Sequence, residues 1–198
     1  MPSIMQNIKQ YIENTTPGSI LIPSDFRNFG TRNIIDQSLS RLVKDNYIQR
    51  ISQGLYTKPK MSRFGALPPD DMDIAQAIAK NTRCELQPGE ATAANMLGLT
   101  TQVPAKLLFY TNGATRIRKI RNKKYIFKNA APKRMAGAGE KAGIIAQALR
   151  FLGKENINKT TIKKIAEQLT DIDKKNLILK KNEMPAWIQD IIALIIKS

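Results

Sequence analysis

The sequence predicts an α+β protein in two domains, residues 1–60 and 61–198, on three observations. Between 19 and 58 a short apolar run, a compact polar segment closed by a glycine, a helix-period stretch and two β-rich runs follow one another. From 103 to 129, β-branched and aromatic residues are punctuated by turn signals. Beyond Pro132 the pattern is helical to the last residue.

Taken in order, Ser3 can cap a first helix in which Ile4, Ile8, Tyr11 and Ile12 recur at helical spacing, ended by Thr15, Thr16, Pro17 and Gly18. Ile20, Leu21 and Ile22 form a short apolar run. A short helix is expected over 24–29, turning at Gly30. A longer helix follows, with Thr31 or Asn33 as its cap and Asp36 near the positive end of its dipole. On a wheel of about 100° per residue, Leu39, Leu42 and Asn46 fall within about 40° of Ile35, flanked by Ser38 and Val43. The first helix is expected to pack on this side. The opposite side collects Asn33, Gln37, Ser40, Arg41 and Lys44, which can donate to base edges or phosphates, and nothing large and apolar. Any surface helix has a polar outer face; the order of the elements is what distinguishes this one. Strands at 47–51 and 55–57, turned at Ser52-Gln53-Gly54, complete the unit, with Arg50 and Lys58 flanking the hairpin and Gln53 at its tip. The order is that of a winged helix-turn-helix, with the longer helix as recognition helix and the hairpin as wing.

Residues 59–69, with Pro59, Gly65, Pro68 and Pro69, read as a linker. A helix over 72–80 follows, in which Asp70, Asp71 and Asp73 complement the dipole rather than bind a metal. A strand at 84–87, a small-residue helix over 90–97 capped by Gly98, and strands at 106–111, 115–121 and 125–129 come next. With Asn112-Gly113 as a hairpin turn these last three form an antiparallel meander. The helical end comprises 140–152, 160–169, 171–179 and a last helix from Pro185, whose Trp187, Ile188, Ile191, Ile192 and Ile195 line a wide apolar side.

The 198 residues, 42% hydrophobic and 24% charged, suffice for folded cores. No apolar run reaches membrane-spanning length and no signal peptide is evident, so a cytoplasmic location is expected. Cys84 is the sole cysteine and there is no histidine, which excludes an internal disulfide and the usual zinc sets; no cofactor is expected. The same lack of histidine, with no Gly-rich phosphate loop, no paired carboxylates and no nucleophile beside a base, argues against an enzyme. The formal charge of +16 points to a polyanionic partner, most simply nucleic acid. Nine Lys and Arg and no Asp or Glu occupy 111–134. Among them Arg116, Arg118, Lys119, Arg121, Lys123, Lys124 and Lys128 alternate with Ile117, Ile120, Tyr125 and Phe127, predicting a sheet with one core face and one basic face.

The winged unit, followed by Gly98-Leu99-Thr100-Thr101-Gln102-Val103-Pro104, the strand pair through Phe127-Lys128, Ala148-Leu149-Arg150-Phe151-Leu152-Gly153-Lys154 and Pro185-Ala186-Trp187, resembles the AbiEi-like antitoxins of bacterial type IV toxin-antitoxin systems. The resemblance covers nearly the whole chain. It implies a transcriptional autorepressor whose winged domain binds inverted repeats in double-stranded DNA upstream of its own operon, and whose C-terminal domain carries the antitoxin activity. It also implies a nucleotidyltransferase-like toxin as the neighbouring gene product, countered without a stable complex. In that frame Arg41, Lys44, Arg50, Lys58 and the cations from Arg116 to Lys124 contact phosphate, Asn33, Gln37 and Ser40 read sequence, and Gln53 contacts DNA at the tip of the wing. The alternative is a protein-binding module that neutralises a toxin directly through its basic C-terminal domain.

Overall fold

The computed structural model describes residues 3–104 and 106–198. The backbone divides into two compact units, Met1–Arg83 with Ile120–Asn122, and Cys84–Lys119 with Lys123–Ser198. Both helices and small sheets are present, so the fold is α+β.

In the first unit, α1 (Ile4–Glu13) starts at a reciprocal cap, Gln6 N donating to Ser3 Oγ at 3.2 Å and Ser3 N to the Gln6 side chain at 2.6 Å. Strand β1 (Ile20–Leu21) leads into a single 3₁₀ turn, Pro23–Phe26, shorter than the helix expected over 24–29. Asp25 Oδ2 accepts from Ile22 N at 3.0 Å and fixes the start of this turn, and Phe29 N donating to Phe26 O at 2.9 Å adds one further turn before Gly30. Helix α2 (Arg32–Lys44) follows, with Thr31 at its N-cap. It ends earlier than the apolar stripe implies. Asn46 lies beyond the C-cap at φ +55° and is exposed instead of lining the core, since asparagine adopts the left-handed conformation at helix ends. The amides of Tyr47 and Ile48 return to Leu42 O, which delays β2 to Gln49–Ser52 and gives Ile48 the core position.

β2, β3 (Leu55–Thr57) and β1 form an antiparallel sheet in the order β1-β3-β2. Ile8, Ile12, Phe26, Ile35, Leu39, Leu42 and Ile48 make one core, all at most 2% exposed. Residues 59–69 are not an unstructured linker: β4 (Lys60–Ser62) and β5 (Gly65–Leu67) pair as a hairpin, with Gly65 at φ +107°. Helix α3 (Asp71–Asn81) is capped by Asp70, whose side chain accepts from Met72 N at 2.7 Å.

The second unit contains β6 (Leu86–Pro88), α4 (Glu90–Met96), β7 (Leu107–Thr111), all but the last residue of β8 (Arg116–Ile120), and β9 (Lys123–Asn129). The sheet order is β6-β7-β9-β8, with β6 antiparallel and β9 parallel to β7. The expected antiparallel meander is therefore corrected to a mixed sheet in which β7 and β8 do not pair. Asn112-Gly113 is a fastened corner rather than a hairpin turn: Asn112 Oδ1 accepts from Glu85 N at 2.9 Å, and Asn129 Nδ2 donates to Gly113 O at 2.8 Å. A Cβ on Gly113 would run into Cys84 Sγ, so a larger residue here would displace that side chain. The reversal occurs at Arg121-Asn122, with Arg121 at φ +52°.

Helices α5 (Pro132–Met135), α6 (Lys141–Leu152), α7 (Lys159–Ala166), α8 (Asp171–Lys180) and α9 (Ala186–Lys197) complete the chain. Ile145, Leu149, Ile165, Leu177, Ile188, Ile192 and Ile195 are fully buried in one cluster, so the wide apolar side of α9 is largely satisfied within its own unit. A Cβ on Gly143 would run into the backbone carbonyl of Gly137, so α6 can reach its place only with glycine there.

Candidate nucleic-acid interface

The two sides of α2 differ sharply. Ile35, Leu39 and Leu42 retain 2%, 0% and 1% of their surface, whereas Asn33, Gln37, Ser40, Arg41 and Lys44 are all exposed. Arg41 and Lys44 occupy the last turn, where cations complement the carbonyl end of the helix, and Asn33 and Gln37 lie towards its start. One apolar side chain, Ile34, is 41% exposed at the flank of this polar face. Asp36 does not face the dipole alone: its Oδ2 accepts from Arg32 Nε at 2.8 Å.

In the β2–β3 hairpin Arg50 is exposed opposite the buried Tyr56, and the register shifts between Arg50 and Ser52. Gln53 is exposed at the turn, where Gly54 supplies a φ of +72°. Lys58 is placed differently from its neighbours. Half-buried, it donates from Nζ to the carbonyls of Glu13 at 2.8 Å and Thr15 at 2.9 Å. Its charge thus closes the C-terminal end of α1 rather than projecting beside the hairpin.

The cations of β8 and β9 are mostly exposed but do not form one basic face. Side chains alternate along a strand, so Arg116 and Arg118 share the side of Ile120, and Lys119 shares that of Ile117. Ile120 is 3% exposed and Ile117 is 56% exposed, which corrects the expectation that both point into the core. Positions three apart on a strand cannot share a face, and β8 is the edge strand of its sheet. Arg116 lies over the Phe127 ring, 5.3 Å from its centroid. Lys123, Lys124 and Arg121 are exposed at the β8–β9 turn.

The profile of a protein family described as "Family of unknown function (DUF6088)" matches residues 7–177. The chain belongs to this family. No curated protein matches it. The part of the chain that matches DUF6088 runs from within α1 into α8 and includes the polar face of α2, the β2–β3 hairpin and the cations of β8 and β9.

A polar cluster in the second unit of this DUF6088 chain went unnoticed in the sequence, because its members are separated by twenty residues or more. Arg134 Nη1 donates to Glu90 Oε1 and to Tyr110 Oη, both at 2.6 Å, and Tyr110 Oη donates to Glu90 Oε2 at 2.8 Å. Gln87 and Gln147 both donate from Nε2 to Arg134 O at 2.8 Å. Burial first, and then Glu90, push the Tyr110 phenol up, against the opposing charge of Arg134. Burial first, and then repulsion from Arg134, lower the Arg150 guanidinium. Glu90, Tyr110 and Arg134 close on one another, an arrangement that anchors α4, β7 and α5. Among the described residues no group of three His, Cys, Asp or Glu could hold a metal ion, and no helix is long and apolar enough to cross a membrane.

Proposed function

We propose that residues 3–58 are a winged helix-turn-helix that reads double-stranded DNA, and that the protein represses its own operon as the antitoxin of a type IV toxin-antitoxin pair in the bacterial cytoplasm. The observation that carries the reading is the exposed polar face of α2, with five donors opposite a core-packed side. The element order supports it: helix, strand, 3₁₀ turn, helix and hairpin, with the sheet ordered β1-β3-β2. In this mechanism α2 lies in the major groove, where Asn33, Gln37 and Ser40 meet base edges. Arg41, Lys44 and Arg50 neutralise phosphates, and the cations of β8 and β9 add affinity that is independent of sequence. The antitoxin assignment rests on the resemblance to the AbiEi-like proteins.

The test is fluorescence anisotropy on the DNA immediately upstream of the gene and on a shuffled duplex, across a salt series. The expected preference for the native duplex is roughly a thousandfold or more, and Gln37→Ala is expected to narrow it by about 1–3 kcal/mol. Equal, steeply salt-dependent binding to both duplexes would sink the sequence-reading assignment.

A further inference from the structure

A second feature of the first unit lies beside the start of α2. Residues of the 3₁₀ turn, the α2 N-terminus and the end of α3 line a pocket of about 360 Å³. Four of its lining side chains are cationic, Arg27, Arg32, Lys80 and Arg83, and none is acidic. Ser24 and Asn81 add neutral polar groups, and Pro23 and Ile35 are its buried apolar members.

Neighbouring groups position these cations without neutralising all of them. Lys80 Nζ sits 2.6 Å from Asp25 Oδ1, and Asp25 is itself held by the Ile22 amide. Arg32 pairs with Asp36 through Nε, which leaves its terminal nitrogens outside that bond. Arg27 Nε donates to Ser24 O at 3.2 Å, so its guanidinium is oriented by a neutral acceptor. Among the described residues no carboxylate pairs with Arg27 or Arg83. Like charges gathered around one cavity repel one another and raise the free energy of the empty site, and an anion offsets that cost. Guanidinium forks fit tetrahedral oxyanions in a bidentate manner. The α2 N-terminus adds its dipole in the same sense: Thr31 makes no side-chain capping bond there.

We propose that this pocket binds a phosphate group, and that the group is a backbone phosphodiester of the duplex read by α2. The inference rests on the DNA-binding reading above and extends it to residues outside the recognition face. Arg27, Arg32, Lys80 and Arg83 would clamp the strand beside the start of α2 and set the depth and register at which Asn33 and Gln37 meet the bases.

The test uses the full-length protein and the double variant Arg27→Gln/Arg83→Asn. Neither residue has a carboxylate partner to lose, and asparagine tolerates the left-handed backbone at Arg83, whose φ is +54°. Circular dichroism and a urea titration matching the parent check that the variant folds. The variant is expected to lose about tenfold in affinity on native and shuffled duplexes alike. The slope of log K against log salt should fall by about one, the value for one lost phosphate contact. Methylphosphonate substitution, one phosphodiester at a time, should weaken the parent at a position where the variant is indifferent. If the parent prefers its native duplex but the variant keeps the parent's slope and methylphosphonate profile, the pocket does not touch the backbone and the inference fails alone. If the parent shows no preference, the DNA reading itself fails; titration with inorganic phosphate, followed by the shift in melting temperature, then separates the cases. A shift in the parent that is absent in the variant would assign the pocket to a free phosphorylated ligand, and no shift in either would remove it as an anion site.

Discussion

The ammonium of Lys58 joins parts of the chain more than forty residues apart, donating to Glu13 O and Thr15 O where α1 runs out of amides to satisfy its carbonyls. Read from the sequence it is one more cation beside a hairpin. In the fold its reach is directed inward, and loss of the charge should be felt as stability. Lys58→Met keeps the aliphatic stem and removes the donors. It is expected to lower unfolding free energy in urea by about 1–2 kcal/mol while leaving the salt slope of DNA binding unchanged. A slope reduced by about one at unchanged stability would instead return Lys58 to the phosphate contacts. Asn33, Gln37 and Ser40 are the contrasting case: their side chains are exposed and make no inward bond of this kind, so the wheel alone identified their side of α2.

At the scale of elements, α8 shows how a cap couples to pH. Thr170 N and Oγ1 donate to Asp173 Oδ2 at 3.0 and 2.9 Å, and Asp173 N donates back to Thr170 Oγ1 at 3.2 Å. The backbone bond from Thr170 first, then its hydroxyl, hold the Asp173 carboxyl below the usual carboxylate range; partial burial opposes them and Lys141 adds a smaller pull in their direction. Because the folded value is depressed, the ionised carboxylate stabilises the fold fully at neutral pH. That contribution fades as pH falls through the ordinary range and is gone below the folded value. The difference in urea midpoint between the parent and Asp173→Asn is expected to be constant from about pH 6 to 8 and to shrink below about pH 4. A difference independent of pH would mean that the carboxylate is not held by the cap. The helical period predicts this element over 171–179, and α8 spans Asp171–Lys180; the pairing of Thr170 with Asp173 at its start is seen only in the structure.

At the scale of the whole molecule, a formal charge of +16 makes strong salt-dependent attraction to any polyanion the baseline against which specificity is measured. The cations at the β8–β9 turn are exposed, and the proposed function has them add to that baseline without reading bases. Lys124→Ala is accordingly expected to weaken native and shuffled duplexes by the same factor and to flatten the salt slope by about one. An unchanged slope would take this turn out of the nucleic-acid contacts.

The longer helices, the apolar side of α2 and the donors opposite it were legible in the chain, because the helical period and local caps depend on residues at most four apart, whereas the short turns at 23–26 and 132–135 were not. Only the tertiary structure decided the rest. Whether Asn112-Gly113 turns a hairpin depended on Glu85 and Asn129 fastening it, and β7 pairs in parallel with β9 because that corner carries the chain past its neighbour. That Ile117 and not Ile120 is the exposed one depends on which face of β8 is covered, which no local pattern encodes. The basic pocket has the same origin. Arg27, Arg32, Lys80 and Arg83 span more than fifty residues of sequence, and only the packing of α3 near the 3₁₀ turn and α2 gathers their charges at one place. Local periodicity is set by the backbone of each segment, whereas sheet order and the convergence of distant charges are set by which segments bury their apolar surface together.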